Sequence, residues 1–205
     1  MESIWHRACT HYDVPEDVAK TWYTRIRERL NQIQPTRAYH NWNEMMLRKE
    51  EHLESCKPNI VLAAFFQYFA YDGNRSCVRE NCAAFKDFCT DAMLEDETSK
   101  AHVLKLLGDK AIECELDASI EDDANILQDL DLIILGAPSD VYKSYSQLLR
   151  REYFHMNDES YRLMRLKVLE TLLKIPNIFS TEEYQNKYEE TARINIEEEI
   201  STLRV

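Results

Sequence analysis

The chain has 205 residues, 44% hydrophobic and 30% charged, with only 3 Gly, 5 Pro and a formal net charge of −12. Average Gly usage is about 7%, and hairpins draw on Gly for their positive-φ turns, so the composition argues against an all-β fold and against a Gly-rich phosphate loop. The acidity argues against general nucleic-acid binding, and no apolar run approaches the roughly 20 residues that cross a bilayer.

Helical periodicity runs through the chain. Residues 1–12 read as a short extension. Asp13 and Glu16 have the spacing of a capping box, and Val18, Trp22, Ile26, Leu30 and Ile33 then recur at three- and four-residue steps until Pro35. A second helix is predicted over 41–55, and Lys57-Pro58 separates it from a strongly apolar third over 60–71. Asp72-Gly73-Asn74 reads as a turn. A fourth helix is predicted over 77–89 and a fifth over 99–114. The sixth carries Ile126, Leu127, Leu130, Ile133 and Leu135 into Gly136, a natural C-terminal stop. Ser139 is placed to cap a seventh, with Tyr142, Tyr145, Leu148 and Leu149 on one face. Helices over 158–174 and 180–203 complete the set, and Ser180 with Glu183 repeats the capping box. Without repeats, low-complexity stretches or a linker, the expectation is one compact, all-α, multi-helix domain over 1–205.

Residues 1–50 are near neutral, whereas 91–131 are strongly acidic, with Glu95, Asp96, Glu97, Glu121, Asp122 and Asp123 among the acids against Lys100, Lys105 and Lys110 alone. Glu189, Glu190, Glu197, Glu198 and Glu199 make the C-terminal stretch acidic too. Such runs read as solvated helix faces. The cysteines Cys9, Cys56, Cys77, Cys82, Cys89 and Cys114 form no C-x-x-C pair, so buried free thiols and a reducing compartment are expected. The first ten residues lack an apolar signal-type stretch. An intracellular protein, of cytoplasm or nucleus and without membrane association, is the expectation. Ser139, Ser144 and Ser146 have no His/Asp arrangement near them, and Met45-Met46 and the tyrosines read as packing.

Five stretches carry a further signal. Arg37-Ala38-Tyr39-His40-Asn41-Trp42 precedes the second predicted helix, and the third reads Ala63-Ala64-Phe65-Phe66-Gln67-Tyr68-Phe69-Ala70-Tyr71-Asp72. Later come Asp129-Leu130-Asp131-Leu132-Ile133-Ile134-Leu135-Gly136, Leu149-Arg150-Arg151-Glu152-Tyr153 and Ala192-Arg193-Ile194-Asn195. In this order they resemble the metal-dependent phosphohydrolases of the HD superfamily, whose stretches read roughly R-x-Y-H-N-x-x-H, A-x-F-H-D-x-x-Y, D-x-D-L-x-I-L-G, I-R-x-E-Y and A-R-x-N. The resemblance runs from about His11 to Leu203.

The resemblance implies an all-helical fold with a metal centre between helices, held by an adjacent His-Asp pair, an earlier His and a later Asp. Such a set lowers the pKa of a bound water and clamps a phosphoryl oxygen. The Y-H-N histidine, His40 here, resembles the proton donor to the leaving oxygen in related cyclic-nucleotide phosphodiesterases. In this chain Glu44 stands where the earlier His is expected, and Gln67 and Tyr68 replace the His-Asp pair. The late acid survives as Asp131, with Asp129 the second choice. Gln67 is a weak neutral ligand, Tyr68 keeps its proton near pH 7, and Glu44 is hard and anionic. No metal is expected, and Glu44, Gln67, Tyr68 and Asp131 are expected to converge as former ligand positions.

Arg37, Glu80, Arg150, Arg165 and Arg193 also match the family pattern. One reading makes Arg37 and Arg150 contacts for an anion or nucleotide; the other makes the arginines structural, bonded to helix ends and buried acids. For His40 the readings are a remnant proton-donor position and a hydrogen-bonded core histidine. The resemblance implies a degenerate HD-fold protein, catalytically inactive and cofactor-free, acting as a protein-interaction or ligand-binding module with a protein partner and a nucleotide or phosphate as its ligand. The alternative is a phosphohydrolase acting on a nucleotide or phosphoester with an altered site, Glu44, Asp72, Glu80 and Asp131 offering oxygens to Mg²⁺ or another divalent metal.

Overall fold

The computed structural model describes residues 1–32, 37–111 and 118–204, and among these every regular element is helical. They fall into two compact units, Met1–Leu127 and Gln128–Val205.

The first unit holds α1 (Glu2–His11), α2 (Glu16–Leu30), a π-helical turn (Trp42–Met46) that tightens through a 3-10 turn (Leu47–Lys49) into α3 (Glu50–Leu53), then α4 (Pro58–Phe66), α5 (Val78–Asp91) and α6 (Glu97–Leu106). The next helix, α7 (Ala118–Leu132), contains the boundary between the units. Pro58 sits in the first turn of α4, where its missing N–H costs nothing. From Ile60 to Phe66 every α4 side chain is buried, as a helix apolar on all sides must be. Helices α1, α5 and α6 pack on it. The core is aromatic: Trp5 meets Phe65 at 5.0 Å, Trp22 meets Phe66 at 5.7 Å, and Phe66 meets Phe88 at 5.5 Å between ring centroids. Both indoles keep a polar partner, Trp5 donating to the Ala19 carbonyl and Trp22 to Asp91.

Several boundaries differ from the sequence expectation, each for a local reason. Residues 1–12 form α1, with Ile4, Trp5, Ala8 and Cys9 buried; four apolar positions are too short a period to read. Asp13 does not cap α2. It stands at φ 53 and closes α1, where Val14 N–H returns to the Cys9 carbonyl. Segment 41–55 does begin at a capping residue, Asn41, which accepts from Glu44 N–H at 2.9 Å, but it winds as π, 3-10 and α in turn. Helix α4 stops at Phe66 because side chains take over its end. Asn81, buried on α5, donates to the Gln67 carbonyl and accepts from Ala70 N–H, while Arg37 donates to the Tyr68 and Phe69 carbonyls. Helix α6 ends early at Gly108, φ +88, where Asp109 N–H bonds the Leu104 carbonyl. Ile33, Pro35, Glu113, Cys114, Glu115 and Asp117 lie outside the described residues.

In the second unit, the end of α7 passes into a 3-10 turn (Ile133–Gly136), followed by α8 (Ser139–Glu152), α9 (Asp158–Lys174) and α10 (Glu182–Leu203). Helix α10 packs on the 3-10 turn and on α9. Gly136 is there for closeness: a Cβ would stand 2.6 Å from Tyr188 Cβ and 2.9 Å from the Tyr188 carbonyl. Asn195 ties α10 to the same turn, donating to the Leu135 and Ala137 carbonyls at 2.8 Å. Neither Ser139 nor Ser180 caps its helix; Pro138 and Thr181 hold those positions. The donors at the start of α10 go to Asp129, fully buried, which accepts from Ser180 N–H, Thr181 N–H and the Thr181 hydroxyl at 2.7–2.9 Å. The acidic runs are therefore not uniformly solvated: Asp123 is buried against Lys57 and His102, and Glu199 against Arg165. No described helix is long and apolar enough to cross a membrane.

Candidate functional site

Two chain segments meet in the first unit around one guanidinium. Arg37 is buried, and its nitrogens donate at 3.0–3.1 Å to the carbonyls of His40, Tyr68 and Phe69. The His40 stretch is thereby fastened to the end of α4. The His40 ring stacks on Tyr71, 4.0 Å between centroids and 22° between planes, and stands 5.0 Å from the Tyr68 ring. The structure thus brings Arg37, His40 and Tyr68 together, with Gln67 next to Tyr68 in the chain. Glu44 follows on the π turn and is held by Arg48 at 3.2 Å. Asp131 belongs to the second unit, near the end of α7, and is half-buried.

Sequence reasoning missed Lys49. It is only 2% exposed, and its amine lies 5.4 Å from the centre of the Tyr68 ring, a cation–π distance. A lysine in a helical pattern reads as a solvent-facing residue. The available signal is its spacing: it follows Met45 and Met46 by four and three residues and precedes Leu53 by four, all three buried.

The remaining arginines join helix ends and acids within the second unit. Arg150 donates to the Tyr153 and Met156 carbonyls and pairs with Asp158 at 2.6 Å, its guanidinium lying over Tyr161. Arg193 reaches Glu189 and the carbonyls of Leu173, Ile175 and Pro176. Arg165 forms a two-pronged pair with Glu199, both contacts 2.9 Å. Burial would raise the Glu199 carboxyl, but Arg165, with Tyr142 and Ser146 donating as well, holds it below the ordinary value.

Among the oxygens that could serve a hard divalent ion, Glu44 is paired with Arg48, while Asp72 and Glu80 share Arg75. Among the described residues no three His, Cys, Asp or Glu side chains gather as a metal-holding group. The described thiols form no disulfide, and burial raises Cys9 and Cys89 to about 12 and Cys82 to about 11, which leaves these three poor nucleophiles.

Comparison with family models, with curated proteins and with solved structures gives no match.

Proposed function

We propose that the chain is a degenerate HD-type protein that has given up metal-dependent phosphoester hydrolysis and works as an interaction or ligand-binding module. The observation that carries this reading is Lys49. A buried cation over Tyr68 puts a positive charge beside one of the positions read as former ligands. A divalent ion brought to Tyr68 would have to displace this ammonium from the ring face. The donor set agrees: Glu44 is engaged by Arg48, Gln67 is neutral, and Tyr68 is a phenol. These residues do not fit a catalytic metal, and without a metal-bound water the nucleophile of such hydrolysis is lost.

The other half of the reading rests on His40. Its ring is packed between tyrosines and Arg37 is committed to backbone carbonyls, so this region is built to hold shape. The expected result is no divalent-ion-dependent turnover of nucleotides or phosphoesters. Elemental analysis and calorimetric titration with Mn²⁺ should show no bound ion. Glu44→His, Gln67→His and Tyr68→Asp together should gain Mn²⁺ binding only when Lys49→Met accompanies them, because charge and ligands act as a unit. EDTA-sensitive hydrolysis by the unaltered protein, abolished by Asp131→Ala, would overturn the proposal.

A further inference from the structure

A second feature of the first unit is independent of that reading. Between the start of α5 and the turn that ends α6 lies a cleft of about 690 Å³. Among the described residues its charged lining is Arg79 and Lys86 from α5 with Asp109 and Lys110 from the turn, three cations against one acid in a chain of net charge −12. Lys86 is held by Asp109 at 3.1 Å. Among the described residues Arg79 feels the neighbouring Glu80 but enters no ion pair or hydrogen bond, and neither does Lys110.

Each wall is tied down within the described residues. Helix α5 is anchored by its buried Asn81, Cys82 and Phe85. The turn is closed by Gly108 N–H on the Lys105 carbonyl, Asp109 N–H on the Leu104 carbonyl and Ala111 N–H on the Asp109 carboxylate. Charged heads carried on fixed backbone lose less freedom when a ligand arrives. A guanidinium fork and two ammonium groups match a phosphate oxyanion with more than one charge. The volume suits a small organic molecule rather than a bare ion, and Val78, Cys82 and Ala111 offer it an apolar side. The acidity of the whole chain does not veto this, because screening at physiological salt acts over about 8 Å, and the cations line the cleft itself.

We propose that this cleft is a binding site for a small phosphorylated molecule, read by Arg79 and Lys110, with Asp109 as an internal competitor for Lys86. When an anion enters, Lys86 can turn from Asp109 to the ligand. Replacing Asp109 should therefore strengthen binding, which a general surface charge effect of the same size elsewhere on the chain would not.

The test is calorimetric titration of the full chain with inorganic pyrophosphate at 0.15 M salt. One site per chain is expected. Arg79→Ala and Lys110→Ala should each weaken it by roughly tenfold, the size of one charge-assisted hydrogen bond, with circular dichroism unchanged since both side chains are exposed. Asp109→Asn should tighten it about threefold or more, and Lys20→Ala, at an exposed position of α2, should leave it alone. Competition by ATP assigns a soluble source for the phosphate group, and co-sedimentation with phosphatidylcholine vesicles carrying a phosphoinositide assigns a lipid headgroup; either supports the site. No binding at millimolar pyrophosphate would overturn it. So would Arg79→Ala and Lys110→Ala proteins that bind as tightly as the parent. Neither result bears on the metal prediction above.

Discussion

Arg165 and Glu199 face each other with two contacts of 2.9 Å and side chains 6% and 8% exposed. Removing one partner leaves the other buried and uncompensated, so Arg165→Ala should lower stability by about 3–5 kcal/mol in urea denaturation, whereas replacing both with apolar residues should cost much less. The pair also sets a pH dependence. The folded Glu199 carboxyl lies below its ordinary value, so its contribution is complete above the unfolded carboxylate range near 4. It fades as pH falls through the lower, folded value. Glu199→Gln should flatten that part of the acid side of the stability curve. The sequence placed Arg37, Arg150, Arg165 and Arg193 as conspicuous but left two readings open, because a guanidinium suits a phosphate and a helix-end carbonyl equally well. In the structure Arg37 donates to three carbonyls, and Arg193 to three carbonyls and Glu189. Lys49 was legible only through its spacing from Met45, Met46 and Leu53, a signal that its charge outweighs.

The elements show the same division. Helices α5, α8, α9 and α10 were legible almost to their ends, since long amphipathic periods need no tertiary information. Breaks set by distant side chains were not: Asn81 and Arg37 end α4 from outside it. The glycines make the point quantitative. Gly136 read as a helix stop, whereas Gly108 lay inside the helix predicted over 99–114; the chain turns at Gly108 through its φ of +88, with open contacts of 3.6 Å or more around a would-be Cβ. Gly136 is needed for the approach of α10, at 2.6 Å from Tyr188 Cβ. Gly136→Ala should therefore push α10 off its turn and cost about 1–3 kcal/mol, a fall in melting temperature of about 2–4 °C per kcal/mol for a chain of this size. Gly108→Ala should cost about 1–2 kcal/mol from left-handed backbone strain alone, without disturbing packing. Thermal melts of the two variants, with near-ultraviolet circular dichroism on the aromatic-rich α10 contact, separate the two causes: only Gly136→Ala should alter the aromatic signal.

At the scale of the whole chain, the scarcity of glycine foretold an all-helical architecture, and the described residues carry no strand. The candidate site was legible only as positions, because motif spacing gives register on helices but not which groups fill a pocket. The net charge of −12 and a pI near 5.0 predict a solubility minimum close to pH 5, where self-repulsion vanishes; turbidity across pH 4–8 should peak there and fall steeply above pH 6. The distribution of sulfur has a different consequence. All cysteines lie before residue 128, and Cys9, Cys77, Cys82 and Cys89 are buried on or beside α1 and α5 with thiols raised above the ordinary value. An alkylating reagent reaches Cys9 and Cys89 only when those helices open. The first unit thus contains its own clock, in which the order of labelling at Cys9 and Cys89 times the undocking of α1 against that of α5, while the second unit stays silent.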